Sequence, residues 1–156
     1  MKKDKIQKMR GFTLIELMIA VAIAGILVAV GYPAYQGVIQ ESYRKTAQSD
    51  LMAFAAAMER HHTGNFTYEG AASGGSDTGS PTIFNNWSPA SESASDKRYT
   101  LTIQAASATD YEIKATPVSG TSQASDGIIM YYSDGRKAWD ENNSGSIDSS
   151  EYCWSC

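Results

Sequence analysis

No residue between Leu17 and Gln40 carries a charge. One acid, Glu16, stands at the head of that run, and a basic leader ending at Gly11 precedes it. The run reaches the roughly 20 residues needed to cross a bilayer core. Leu14 to Val30 is apolar all round, which predicts a segment surrounded by lipid or by other helices. A lone carboxylate in such a segment is expensive and marks a functional position with a partner. The leader carries Lys2, Lys3, Lys5, Lys8 and Arg10 against Asp4. In an ordinary secretory signal the cut follows the apolar region. Here the charged part stops at Gly11, so a cut there would leave the apolar run on the mature chain. The plainer alternative is an uncleaved membrane anchor.

Phe12 to His62 reads as one long helix. Past Pro33 the all-round apolar pattern narrows to a stripe of Tyr35, Val38, Ile39, Tyr43, Ala47, Leu51, Phe54, Ala55 and Met58. Steps of three and four mark one buried face. Some 50 residues at about 1.5 Å each span roughly 75 Å, more than one small domain needs, so half of the helix must find partners outside its own chain. Pro33 lacks the donor for a helical bond, which predicts a kink there and a weak stretch from Gly25 to Pro33.

About 95 residues remain for a globular part, enough for one modest core. Residues 63–97, rich in Gly, Ser and Thr, read as a long surface loop with a short turn at Phe84–Trp87. Alternation then predicts strands over Arg98–Ala105, from Tyr111 to Pro117 and over Gly127–Ser133. Asp134-Gly135 is a hairpin signal, which makes Arg136–Trp139 a short fourth strand. The expected fold is α+β: a long N-terminal helix, half of it protruding, packed on an antiparallel sheet of three to four strands. The organisation follows as a leader (1–11), an apolar helix half (12–33), an amphipathic helix half (34–62), the loop (63–97), the sheet (98–139) and an acidic tail (140–156).

The whole chain has a net charge of −4, and with residues 1–11 removed the remaining 8 Lys and Arg against 16 Asp and Glu leave −8. Such a surface argues against general nucleic-acid binding, which depends on neutralising phosphates. The adjacent cations Arg44-Lys45, Lys97-Arg98 and Arg136-Lys137 read as solvated edges or salt-bridge partners. His61 and His62 point away from each other on a helix and do not share a metal; carbonyls near the helix end are their expected partners. No phosphate loop, Ser-His-Asp set or paired buried carboxylates occur, and no enzyme activity is expected.

The tail from Asp140 to Glu151 fits a twelve-residue calcium loop of the EF-hand type. Asp140, Asn142 and Ser144 occupy positions one, three and five, and Gly145 sits at the sharp turn. Ser146 offers its carbonyl at seven, Asp148 stands at nine and Glu151 is the bidentate candidate at twelve. Ser144 is a weaker ligand than Asp or Asn, and no helix pair flanks the loop. A structural Ca²⁺ fits this pattern better than a sensor. The competing reading is an acidic surface loop with no metal, and no cofactor is required.

The stretch Gly11-Phe12-Thr13-Leu14-Ile15-Glu16 resembles the cleavage signal of type IV pilin precursors. The resemblance is strongest over Gly11–Met58 and continues through Glu59–Tyr68 in the manner of PilE-like minor pilins. It implies cleavage between Gly11 and Phe12, N-methylation of Phe12 by the same prepilin peptidase, and assembly into a pilus through the helix. Glu16 would meet the freed α-amine of a neighbouring subunit, and the Gly25–Pro33 stretch would bend or melt in the filament. Implied partners are other pilin subunits, the peptidase/N-methyltransferase and the inner-membrane assembly machinery, with the subunit single-pass in the inner membrane before assembly and in an extracellular filament afterwards. DNA is not the first expected partner, but a DNA-uptake pilin stands as a further reading, which a basic groove in the structure would favour. The resemblance also implies a Cys153–Cys156 disulfide, enclosing only Trp154 and Ser155; free or intermolecular thiols are the alternative. A second reading with the same N-terminus is a pseudopilin of a type II secretion system with a calcium-stabilised tail.

Overall fold

The computed structural model describes residues 11–155. The leader up to residue 10 and Cys156 lie outside them. The chain divides into two compact units, one ending at Gly37 and one beginning at Val38. Helix α1 (Leu14–Asn65) contributes to both, with Pro33 inside it.

The first unit is the apolar part of α1. Every large apolar side chain from Phe12 to Val30 is exposed. An apolar surface this extensive marks a packing or membrane face, and the helix is long and apolar enough to cross a bilayer. It starts at Leu14, two residues later than expected, because Thr13 acts as its N-cap. The Glu16 N–H donates to Thr13 Oγ1 at 3.3 Å, and the Thr13 N–H donates back to Glu16 Oε2 at 2.9 Å. This reciprocal capping box satisfies donors that the first turn leaves without helical partners.

At the other end α1 outlasts the expected stop at His62 by three residues. Thr63 Oγ1 donates back to the Glu59 carbonyl at 2.8 Å and stays within the helix. Termination falls to Phe66, whose φ of 59° is left-handed, while Asn65 Nδ2 caps the His61 carbonyl at 2.9 Å.

In the second unit five strands form one antiparallel meander in chain order: β1 (Trp87–Ser88), β2 (Tyr99–Ala106), β3 (Tyr111–Pro117), β4 (Ile129–Tyr132) and β5 (Lys137–Trp139). Strands β2 to β5 stand within two residues of the expected bounds. The fifth strand, β1, was not expected, because two residues are too few to show alternation. Alternate residues Tyr99, Leu101, Ile103, Tyr111, Ile113 and Ala115 join Ala47, Leu51, Phe54 and Met58 of α1 in one core. Full burial contributes about 1.5–3 kcal/mol for each large aliphatic or aromatic side chain. Met130, Tyr132 and Ala138 form a smaller cluster against which Ile128 and Ile147 pack.

The 63–97 segment is more structured than a plain surface loop. It holds two 3₁₀ turns, Ser73–Gly75 and Ala94–Asp96, and isolated bridges at Ala72–Pro81 and Gly79–Ile103. Phe84 stacks on Phe54 at 5.4 Å between centroids. Asp50 of α1 accepts from Ser88 Oγ at 2.6 Å and from the Ala90 N–H at 2.9 Å. Small polar residues hide these ties from a composition-based reading. The outer edge of β5 is covered where the Trp139 N–H donates to the Glu151 carbonyl at 3.0 Å.

Candidate functional site

Three groups of residues carry functional expectations: the N-terminal turn, the junction where α1 meets the 118–127 turn, and the tail.

At the N-terminal turn the Glu16 carboxylate is not an orphan in the single chain. Its Oε2 accepts from both the N–H and the hydroxyl of Thr13, the latter at 2.8 Å. The T-x-x-E spacing carries this capping box in plain view, and a reading of Glu16 as a lone intramembrane acid misses it. Gly11 and Phe12 precede the helix and are exposed. A Cβ added at Gly25 would meet no heavy atom within 4 Å, so this glycine offers a flat place for another helix to approach.

The junction is built around Asp126, only 3 % exposed. Arg44 lies on the α1 face toward the turn, and its Nε donates to Asp126 Oδ1 and Oδ2 at 2.9 and 3.0 Å. Arg44 Nη2 and the Tyr99 hydroxyl donate to the same carboxylate. Gln123 Nε2 donates to Tyr99 Oη at 2.8 Å and to the Gln40 carbonyl at 3.0 Å. The Arg44 guanidinium also lies 3.7 Å over the Trp139 ring, whose indole N–H donates to the Asp126 carbonyl at 2.7 Å. Burial first, and the neighbouring Asp126 carboxylate second, hold the Tyr99 phenol well above its usual range. Arg44 is therefore a salt-bridge partner, as one of its two sequence readings has it. Its acid lies 82 positions away in a Ser/Thr-rich turn, and no local spacing pairs them.

Other cations are paired at the surface: Lys45 with Glu41 at 2.7 Å, and Arg136 with Asp134 at 2.6 Å. His61 Nε2 lies 2.9 Å from the Glu69 carbonyl, a carbonyl partner of the expected kind, while His62 stacks on Tyr68.

In the tail, Asp140 and Glu151 are buried. Asp140 accepts from the N–H groups of Ser144 and Gly145, both at 2.8 Å. Glu151 accepts from the N–H of Asp148 at 2.9 Å and of Asn142 at 3.4 Å. The loop closes through its first and last acids, with Gly145 at φ 87° making the turn. Asn142 Nδ2 lies 3.4 Å from Asp148 Oδ2, and Ser144 Oγ lies 3.1 Å from the Ser146 carbonyl. Oxygens of all six expected ligand residues thus belong to one closed loop. Among the described residues no group of three or more His, Cys, Asp or Glu gathers for a metal. A bound cation would therefore lean on amide, hydroxyl and carbonyl oxygens as well. Cys153 is disulfide-bonded. Trp154 is fixed beside it, its indole N–H donating to the Met130 carbonyl at 3.1 Å.

Comparison with known proteins agrees with this layout. Residues 33–127 match the family model described as "Type IV minor pilin ComP, DNA uptake sequence receptor", and residues 6–32 match the prokaryotic N-terminal methylation motif. The type IV major alpha-pilin of Moraxella bovis is 48 % identical over 50 residues, covering 32 % of this chain and 31 % of that protein. Prepilin peptidase-dependent protein D of Escherichia coli (strain K12) is 37 % identical over 70 residues, 43 % of this chain and 48 % of that protein. The type II secretion system core protein G of Pseudomonas aeruginosa is 38 % identical over 64 residues, 41 % of this chain and 45 % of that protein. The chain thus spans between about a third and a half of the length of these curated relatives.

Proposed function

Since this chain belongs to the family of type IV minor pilins described by the ComP model, we propose that it is a structural subunit of a type IV pilus. The observation that carries this reading is a fully exposed apolar helix half that begins at a capped Glu16. In the inner membrane that surface is covered by lipid, and in the filament it is covered by sister helices. Exchanging lipid for protein contacts brings little hydrophobic gain, so close packing and polar pairing decide the outcome.

Cleavage after Gly11 by a prepilin peptidase, with N-methylation of Phe12, gives Phe12 a free α-amine with a reference pKa near 8. The Glu16 carboxylate then exchanges its Thr13 contacts for the amine of a neighbouring subunit, under the inner-membrane assembly machinery. Misregister leaves a charge unpaired in an apolar bundle, which is strongly unfavourable. Gly25 and Pro33 supply the stretch of α1 that yields during this change. We assign the chain no catalytic role.

The test compares sheared filaments from cells expressing wild-type and Glu16→Ala chains at equal membrane levels. Incorporation of the variant is expected to fall at least about tenfold, equivalent to roughly 1.4 kcal/mol of register preference. Wild-type subunits should begin at a methylated Phe12 by mass spectrometry. Normal incorporation of Glu16→Ala would remove the register mechanism.

DNA reception is named in the family description, but the charge of this chain does not favour it. The mature charge is −8, and Arg44, Lys45 and Arg136 are already paired with acids. The type II pseudopilin reading is favoured by a specific observation, the calcium-type tail together with the likeness to core protein G.

In either filament we propose that Asp140, Asn142, Ser144, Asp148, Glu151 and the Ser146 carbonyl hold a structural Ca²⁺. The support is chemical: two buried acids are bonded to loop N–H groups, and no ion pair among the described residues reaches either of them. Hard oxygen donors in this order suit Ca²⁺. Chelation with EGTA is expected to lower Tm by several degrees, and added Ca²⁺, not Mg²⁺, should restore it. An unchanged transition would exclude the ion. A Cys153–Cys156 disulfide would tie down the end of this tail.

A further inference from the structure

Successive residues of a strand face opposite sides of the sheet, and the side turned away from α1 is only partly covered. On β4, Ile129 belongs to the core under α1, while Met130 and Tyr132 are buried on the other side, where Ile128 and, from the tail, Ile147 pack on them. Beside this cluster lies a groove of about 410 Å³. Strands β2 and β3 contribute Gln104, Glu112 and Lys114 to its lining, and the tail contributes Ile147 and Tyr152. The register sets Glu112 opposite Tyr132 and Lys114 opposite Met130. The volume falls within the range of small-ligand sites. The groove lies wholly within the second unit.

The polar heads of this lining are not used inside the chain. Among the described residues, the side chains of Gln104, Glu112 and Lys114 enter no hydrogen bond and no ion pair. Glu112 and Lys114 are half-buried, so water alone serves them poorly. Gln104 is the extra residue where the β2–β3 register shifts between Ile103 and Ala105. A bulge of this kind re-aims a side chain. Arg136 is already engaged: it is bonded to Asp134, and its guanidinium lies 4.6 Å over the Tyr132 ring and 5.4 Å over the Tyr152 ring. It thereby holds the two rings, whose centroids are 5.9 Å apart. Tyr152 stays 46 % exposed, which leaves aromatic surface beside the polar heads.

The mixture selects the ligand. An anion would meet Glu112, a cation would meet Lys114, and an apolar molecule would bury both heads without partners. Glu112 and Lys114 cancel in charge, as do Arg136 and Asp134, so the lining calls for no ion. A ring of hydroxyl groups answers all of it. Hydroxyls donate to a carboxylate, accept from an ammonium group, and do both with an amide. The carbon-bound hydrogens of the same ring suit the negative face of a tyrosine. We propose that this groove binds a neutral saccharide, with Glu112, Lys114 and Gln104 on its hydroxyls and Tyr152 against its carbon face. The site belongs to the second unit alone, so it stands apart from the use made of the apolar helix half.

The experiment applies the full chain, in fluorescent phosphatidylcholine nanodiscs, to a printed array of neutral oligosaccharides of glucose, galactose, mannose and N-acetylhexosamines. Sialylated and sulfated forms of each are printed beside them. The wild-type chain is expected to be retained on at least one neutral oligosaccharide about tenfold above empty nanodiscs, and no better on its acidic forms. Glu112→Ala combined with Lys114→Ala should return retention to the level of empty nanodiscs. Gln104→Ala, at an exposed side chain, should weaken retention about threefold with an unchanged melting transition, and it decides the matter if the double variant melts early. Lys97→Ala, outside the groove, should bind as the wild type does. Retention on no neutral saccharide, or on acidic forms only, would overturn the ligand class. Retention that survives the groove variants, or an equal loss in Lys97→Ala, would overturn the groove. Neither failure touches the filament reading, which the incorporation of Glu16→Ala tests separately.

Discussion

Gly127→Ala is expected to lower the melting temperature of the chain by about 15 °C, the consequence of roughly 3–5 kcal/mol of lost stability. A Cβ at this position would stand 1.9 Å from the Asp140 carbonyl oxygen and 3.0 Å from its carbon, both backbone atoms. Neither atom has room to give, because the Asp140 N–H is itself bonded to the Ile128 carbonyl at 2.9 Å. Gly127 also adopts φ 77°, a conformation disfavoured by any side chain. Gly120→Ala separates the two causes, since it has φ 79° and open space around the added carbon. It should cost about 1 kcal/mol from backbone strain alone. Thermal unfolding of both variants, followed by circular dichroism in detergent, makes the comparison. Equal losses would show that the close approach to Asp140 contributes nothing. Because Asp140 opens the calcium-type loop, Gly127→Ala should also weaken any Ca²⁺-dependent rise in Tm.

Asp126→Ala is expected to destabilise the chain by about 3–5 kcal/mol, because it strands a half-buried guanidinium together with the Tyr99 hydroxyl. Arg44→Ala should cost a similar amount, since it leaves the Asp126 carboxylate buried without its cation and removes the contact with Trp139. The two losses should not add. A double variant is expected to lose about 2 kcal/mol less than the sum of the single losses, the signature of direct coupling. Urea denaturation of the four proteins closes the cycle, and additive losses would mean that the ion pair carries no net coupling. The network joins α1, β2, β5 and the 118–127 turn, so its loss loosens the base of the domain as a whole.

Elements with a clear period were legible in the sequence. The Tyr43-to-Met58 stripe and the alternation of Tyr99, Leu101 and Ile103 predict one helix and the main strands because burial on one face imposes that spacing. Elements defined by contacts between distant residues were not legible. Two residues at Trp87–Ser88 cannot display alternation, and the ties of Asp50 to Ser88 and Ala90 cross 38 and 40 positions. Asp126 looked like one acid in a polar turn, since nothing near it announces Arg44. The Thr13–Glu16 capping box was legible and was overshadowed by the charge argument for the same residue. Lys45 and Lys137 belong to two separate cation pairs in the sequence and line one groove only because the fold brings α1 and β5 together.

The covered margin of β5 has a further consequence. A filament crowds many identical sheets side by side, the condition under which open strand borders fuse into irreversible aggregates. Here Trp139 of the last strand donates its N–H to Glu151 of the same chain, and on the opposite side β1 pairs with Tyr99 and Thr100 while the N–H groups of Leu101 and Ile103 donate to the carbonyls of Asn86 and Gly79. In the filament proposed above, neighbouring heads would therefore meet without a long open strand border through which their backbones could join.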